Sequence, residues 1–237
     1  MQRRNGLLAV MLLAASMGWA APAQAVCKVA LNLGLDISSS VNSAEYRLQI
    51  EGLAYALETE EVIDAILTPE GAHIVAAVYE WSGYSQQDIV LDWTVLDSPE
   101  AVRAFAARLR GHQRVYADFA TALGKAVEFG AKMFATAPPC ARRVLDISGD
   151  GENNDGVDPD YFRGQGLLEG IVINGLVIQG ATPPPGIYYR QHVMQGPDSF
   201  VAIARTFEDY RYVMVGKLLR EIGSEMVVGE AEREPAR

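Results

Sequence analysis

The stretch "LNLGLDISSSVNSAEYRLQI", residues 31–50, decides the fold. An apolar run covering 28–35 reads as a buried strand and stops on a carboxylate, Asp36. Ser38, Ser39 and Ser40 follow. From Ser43, read as a helix cap, apolar residues recur with helical period at Tyr46, Ile50, Leu53, Ala54 and Leu57. A strand that ends on an acid and a hydroxyl cluster, and then turns into a helix, is one half of a βα unit with polar chemistry at its mouth.

The rest of the chain repeats that alternation. Residues 73–80 and 88–95 read as strands joined by the polar turn "WSGYSQQ". Ser98-Pro99-Glu100 starts a helix, with serine as cap and proline in the first turn. A further helix is expected over 121–134, strands over 142–148 and 171–178, a long loop over 181–198, and a short strand over 200–204. The last helix carries Phe207, Tyr210, Met214, Leu218 and Ile222. Most strands are apolar almost without interruption. This predicts an α/β fold: a doubly wound, mostly parallel open sheet with helices on both faces.

Arg3 and Arg4 precede the apolar stretch Leu7–Ala20, and small residues follow at Ala23 and Ala25. This reads as a signal peptide over 1–25, and the apolar stretch falls short of the roughly 20 residues of a membrane span. A domain over 26–224 and a flexible tail over 225–237 complete the expected organisation. The composition is that of a globular domain, 49% hydrophobic and 21% charged. Cleavage takes the net charge from −10 to −12, because two arginines leave. So acidic a chain is a poor nucleic-acid binder and an attractor of cations. The expected location is the periplasm or the exterior. There, the two cysteines Cys27 and Cys140 suggest a disulfide, with two buried thiols as the alternative.

Ligands of open α/β sheets gather beyond the carboxyl ends of the strands. Asp36, Ser38 and Ser40 stand there in a D-x-S-x-S spacing, an oxygen-only set suited to Mg²⁺ or Mn²⁺ and not to zinc. Thr121, opening a helix, and Asp150, following a buried strand, are the candidates to complete it. Asp146 is a rival to Asp150, because "LDIS" occurs at both 35–38 and 145–148.

"DISSS" at 36–40, the threonine opening a later helix and a strand running into Asp-Gly together resemble the von Willebrand factor type A fold with its metal-ion-dependent adhesion site. "RRVLDISGDGENNDG" and "FEDYRYVMVGKLLREI" more narrowly resemble an exported bacterial branch of that superfamily whose function is not established. The resemblance implies that Asp36, Ser38, Ser40, Thr121 and Asp150 surround one Mg²⁺ or Mn²⁺. It also implies a protein or peptide ligand that supplies a carboxylate to the metal. The usual strand-Thr-Asp-Gly ending is here "ISGDG", a departure. In the resembled fold the strands before Asp36 and Asp150 lie side by side, which would bring Cys27 and Cys140 together at the opposite end.

Other readings fit less well. G-x-S-x-G is missing, and His73, His112 and His192 lack a catalytic context, so a metal-dependent envelope hydrolase is the alternative and not the expectation. A structural subunit of a periplasmic assembly with a vestigial metal site is a further alternative. From Asp150 the spacing of a calcium loop holds at 152 and 154, but its glycine position is Asp155 and its twelfth position is Tyr161. A surface turn is the better reading. Tyr188, Tyr189 and Arg190, in the loop beyond 178, are residue types common at interface hot spots and are the expected partner contacts.

Overall fold

The computed structural model describes residues 26–223. The expected signal peptide and tail lie outside the described residues. Six strands form one sheet: β1 (Val26–Asp36), β2 (Ala72–Trp81), β3 (Gln87–Leu96), β4 (Arg142–Gly149), β5 (Ile171–Ile178) and β6 (Val201–Ala204). Their order is β3-β2-β1-β4-β5-β6. All neighbours are parallel except β2 and β3, a hairpin that places an antiparallel strand at the edge. The chain leaves β1 first to one side and later returns to the other. The crevice between the carboxyl ends of β1 and β4 is therefore the switch point where such sheets take ligands.

Helices α1 (Ser43–Glu58), α2 (Glu60–Leu67), α3 (Pro99–Gly111) and α6 (Tyr210–Gly223) cover one face. On the other face lie α4 (Leu123–Met133), a 3-10 turn (Pro159–Phe162) and the single turn α5 (Gly186–Tyr188), which runs into a π-helical turn (Tyr189–Val193). The central strands β1, β2, β4 and β5 are buried on both sides because both layers exist. Leu31, Leu33 and Leu35 point to one core, while Ala30 and Trp81 belong to the other.

Several local expectations change. Asn42, not Ser43, caps α1. Its side chain accepts from the backbone of Ala44 and Glu45, and Glu45 bonds back to the Asn42 N–H, a capping box. Ser98 caps α3 as expected, accepting from Ala101 N at 3.2 Å. Helix α4 starts at Leu123, later than expected, and its cap residue Ala122 offers no side chain. Thr121 therefore does not cap α4. Helix α2 was not expected. Only Thr59 separates it from α1, so its apolar residues Val62, Ile63 and Ile66 read as a continuation.

Cys27 and Cys140 form a disulfide with a Cα–Cα distance of 4.7 Å. The register explains it. β1 and β4 run in step from Val29↔Arg142 to Leu35↔Ser148, and extending that step backward pairs Cys27 with Cys140. The bond closes a sequence separation of 113 residues at the amino ends of the strands, far from Asp36. Reducing it is expected to lower stability by about 2–4 kcal/mol, the usual worth of such a bridge. Divalent-metal uptake should not change. Urea unfolding with and without reductant, followed by metal titration of the reduced folded protein, checks both halves.

Candidate metal centre

Asp36 is the last residue of β1 and is fully buried. Its Oδ1 accepts from the backbone N–H of Ser38 at 2.7 Å, which turns the chain back over the carboxylate. The Ser38 and Ser40 hydroxyls lie 3.1 Å apart, as the alternating spacing requires. Ser40 Oγ donates to Asp150 Oδ1 at 2.7 Å. One hydrogen-bonded chain thus links four of the five expected residues. Thr121 joins from the loop before α4. A Cβ placed on Gly151, next to Asp150, would meet Thr121 Oγ1 at 3.8 Å. The backbone N–H of Thr121 donates to Asn154 Oδ1 at 2.8 Å, and Asn154 N donates to Thr121 O at 2.9 Å, so the loop after β4 is zipped to it.

Asp146 lies elsewhere. It sits mid-strand opposite Leu33, on the face covered by α6, with Lys217 Nζ 2.8 Å from its Oδ1. The separation is that of an ion pair, though its angles fall outside hydrogen-bond limits. Alternation along β4 sends its side chain away from the crevice.

The electrostatics favour a cation. Burial, and then the neighbouring Asp150, pushes the Asp36 carboxyl up to about 7. Burial also raises Asp150, against the Ser40 hydrogen bond, and Glu45 adds to the rise. Asp36 Oδ2 is buried with no hydrogen-bond partner among the described residues. Two carboxyls brought together out of water, one with an orphaned oxygen, are stabilised by a positive ion between them. The donors are all oxygens, two acidic and three neutral, which fits Mg²⁺ or Mn²⁺. Among the described residues no three or more His, Cys, Asp or Glu side chains converge, so serine and threonine hydroxyls would have to supply the rest of any ligand set.

Arg114 is a residue that the sequence reading missed. From the loop between α3 and α4 it donates to the carbonyls of Ile37 (2.6 Å), Ser38 (3.1 Å), Val41 (2.7 Å) and Tyr116 (2.6 Å). It thereby clamps the backbone of the D-x-S-x-S loop. No spacing in the sequence marks a lone arginine for this task.

Beside Ser40 and Asp150 opens a cleft of about 470 Å³, lined further by Glu45, Gln179, Gly180, Phe207 and Glu208. The loop after β5 therefore begins at the crevice. Its aromatic pair needs a correction. Tyr189 is fully buried and cannot meet a partner, because the π-helical turn points its ring into the core. Tyr188 is half-buried, donates to Asp158 Oδ1 at 2.5 Å and stacks on His192. Arg190 is exposed.

Residues 26–226 match the model of a family described as "Protein of unknown function (DUF1194)". No curated protein matches the chain. Among solved structures it is similar to a von Willebrand factor type A protein from Catenulispora acidiphila, with 17% identity over 84% of this chain and 43% of that one and a TM-score of 0.55. It is similar to proximal thread matrix protein 1 from the mussel byssus, solved with a zinc-occupied MIDAS motif: 13% identity, 84% and 49% covered, TM-score 0.58. It is also similar to the pilus adhesin SpaC from Lactobacillus rhamnosus GG, with 15% identity, 85% and 31% covered and a TM-score of 0.60. The chain spans half or less of each of these proteins. At such identities the likeness is one of fold, and the fold is von Willebrand A-like.

Proposed function

The chain belongs to the DUF1194 family, and from its geometry we propose that it is an exported, divalent-metal-dependent binding domain for a protein or peptide ligand. The observation that carries this is the convergence of Asp36, Ser38, Ser40 and Asp150, with Thr121 alongside, at the switch point of the sheet. These five residues would hold Mg²⁺ or Mn²⁺, and the bound ion would supply a Lewis-acidic position for a partner's carboxylate. Were the two aspartates to bind partly through water, with the neutral hydroxyls directly on the ion, it would stay electrophilic enough to take an anionic ligand from outside. That chemistry binds and does not require turnover.

The neighbouring folds lend support, since they include a pilus adhesin and a protein whose adhesion motif holds zinc. Mg²⁺ or Mn²⁺ remains the reading for this chain because its donors are hard oxygens. Export is supported by the basic and apolar pattern of residues 1–25 and by the disulfide, which belongs to oxidising compartments. The domain would then cover 26–224 and a tail 225–237. Tyr188 and Arg190 remain the proposed partner contacts of the long loop. The cleft beside Asp150 gives the partner chain a path away from the metal.

The test joins calorimetry to capture. The mature protein is expected to bind Mn²⁺ with a stoichiometry of one. Immobilised, it should retain an envelope protein in Mg²⁺ and release it to chelator. A partner held equally well in chelator, or by Asp36→Ala, would end the metal-dependent reading in favour of a structural subunit. Conversion of the captured ligand would favour an enzyme.

A further inference from the structure

The clearest unexplained feature near the crevice is a buried tyrosine with an idle hydroxyl. Tyr189 is wholly enclosed, and its OH has no hydrogen-bond partner among the described residues. Buried hydroxyls seldom stay so, because the lost hydration is not replaced. The ring reaches its place through two glycines on adjacent strands. A Cβ at Gly175 in β5 would lie 2.7 Å from Tyr189 Cδ1, and one at Gly149 in β4 would lie 2.4 Å from the hydroxyl. Both positions face the layer opposite α6, and side chains at either would block the ring. The slot leads to one destination. The register of β1 and β4 ends at Leu35↔Ser148, so Asp36 and Gly149 are the next neighbours, and Trp81 lies across from Asp36 on the other side. The same imagined Cβ on Gly149 would be 2.9 Å from Asp36 Oδ2. The orphaned hydroxyl and the orphaned carboxylate oxygen thus flank a single point.

We propose that Tyr189 is the positioning residue of the metal centre: its hydroxyl, which makes no hydrogen bond among the described residues, turns to donate to the equally unpartnered Asp36 Oδ2 and fixes the carboxylate at the strand mouth. The role rests on the metal-binding reading above. The other oxygen, Oδ1, is already held by the Ser38 N–H. With both oxygens oriented, the carboxylate has one setting when the cation arrives. Metal ligands are commonly held in this way by an outer hydrogen bond, and losing it weakens metal binding about 10–100-fold. Burial, and then the charges of Asp36 and Asp150, push the phenol well above its ordinary range, so it remains a donor. The turn that carries it is π-helical, with Met194 N bonded to Tyr189 O at 2.9 Å, a geometry that recurs at functional sites.

Tyr189→Phe keeps the ring and removes only the oxygen. In the full mature protein, Mn²⁺ affinity by calorimetry is expected to fall at least about tenfold, with the melting temperature in chelator little changed. Adding Mg²⁺ should perturb the tyrosine absorption of the wild type, and Tyr189→Phe should lack that difference band. A purely packing role would move neither. Full Mn²⁺ affinity in Tyr189→Phe beside a normal wild type would overturn the assignment of Tyr189 and leave the metal reading intact. Wild-type protein that takes up no Mn²⁺ would overturn both.

Discussion

Asp36→Ala is expected to reduce Mg²⁺ or Mn²⁺ affinity at least about 100-fold, more than the loss of an outer hydrogen bond would, and yet to leave the metal-free fold no less stable at pH 8. The second half follows from linkage. The folded carboxyl titrates near 7 against an ordinary 3.8, because burial and Asp150 disfavour its charge. Between those values the folded state binds more protons than the unfolded chain. Stability therefore falls as pH rises from about 4 through 7, and the cost is complete above 7, at most about 4 kcal/mol. Alanine removes that cost. It also removes the acceptor of the Ser38 N–H, worth about 1 kcal/mol. Urea unfolding in chelator should show the variant equal to wild type or less stable near pH 4 and gaining on it toward pH 8. The same shift makes wild-type metal uptake release protons below pH 7, so affinity should climb with pH up to about 7 and level off above it. Unchanged metal affinity in Asp36→Ala would refute the site. A stability gap independent of pH would refute the account of the buried charge.

The parts of this protein that were legible in the sequence are those set by short-range periodicity. Strands buried on both faces announce themselves as apolar runs, and β5 is found at 171–178 as read. The D-x-S-x-S spacing puts two hydroxyls on one side of a turn, and the structure has them 3.1 Å apart. The cysteine pairing follows from the resembled fold, in which the strands before Asp36 and Asp150 lie side by side, and the register of β1 and β4, extended back from Val29↔Arg142, pairs Cys27 with Cys140. What failed depended on contacts distant in sequence. Tyr189 looked like an interface residue because neither its composition nor its neighbours reveal a slot cut by Gly149 and Gly175. Arg114 finds three of its four carbonyls more than 70 residues back along the chain. The start of α4 moved because Thr121 is tied to Asn154 and Ala122 N to Ser82 O, and these bonds hold the backbone out of the helix.

The echo "LDIS" posed the hardest question in the sequence, and the structure separates its two copies by face. Asp36 ends its strand. Asp146 stops short of the end of β4 and meets Lys217 from α6. Lys217 is fully buried and also bonds Glu221, whose Oε1 accepts from Asn174 at 2.8 Å. One ammonium thus serves two carboxyls out of water. Lys217→Met, similar in shape but uncharged, is expected to destabilise the fold by about 3–5 kcal/mol at pH 8, the cost of leaving buried charge unpaired. The penalty should shrink as pH falls. Burial raises Asp146 to about 7 even though Lys217 pulls it down. Without the ammonium its folded value rises further, so the variant binds more protons and loses stability more steeply with rising pH than wild type. Near pH 5 Asp146 is protonated in the wild type, so less of the ion pair remains to lose. Adding Asp146→Asn and Glu221→Gln to Lys217→Met should recover much of the loss at pH 8, because no charge is then stranded. Urea unfolding of the three proteins at pH 5 and pH 8 reads all of this. A penalty equal at both pH values would mean that methionine merely packs badly. Metal affinity should stay within about twofold of wild type in Lys217→Met, since sites on opposite faces with no shared partner are close to additive. A large loss there would join Asp146 to the metal centre after all.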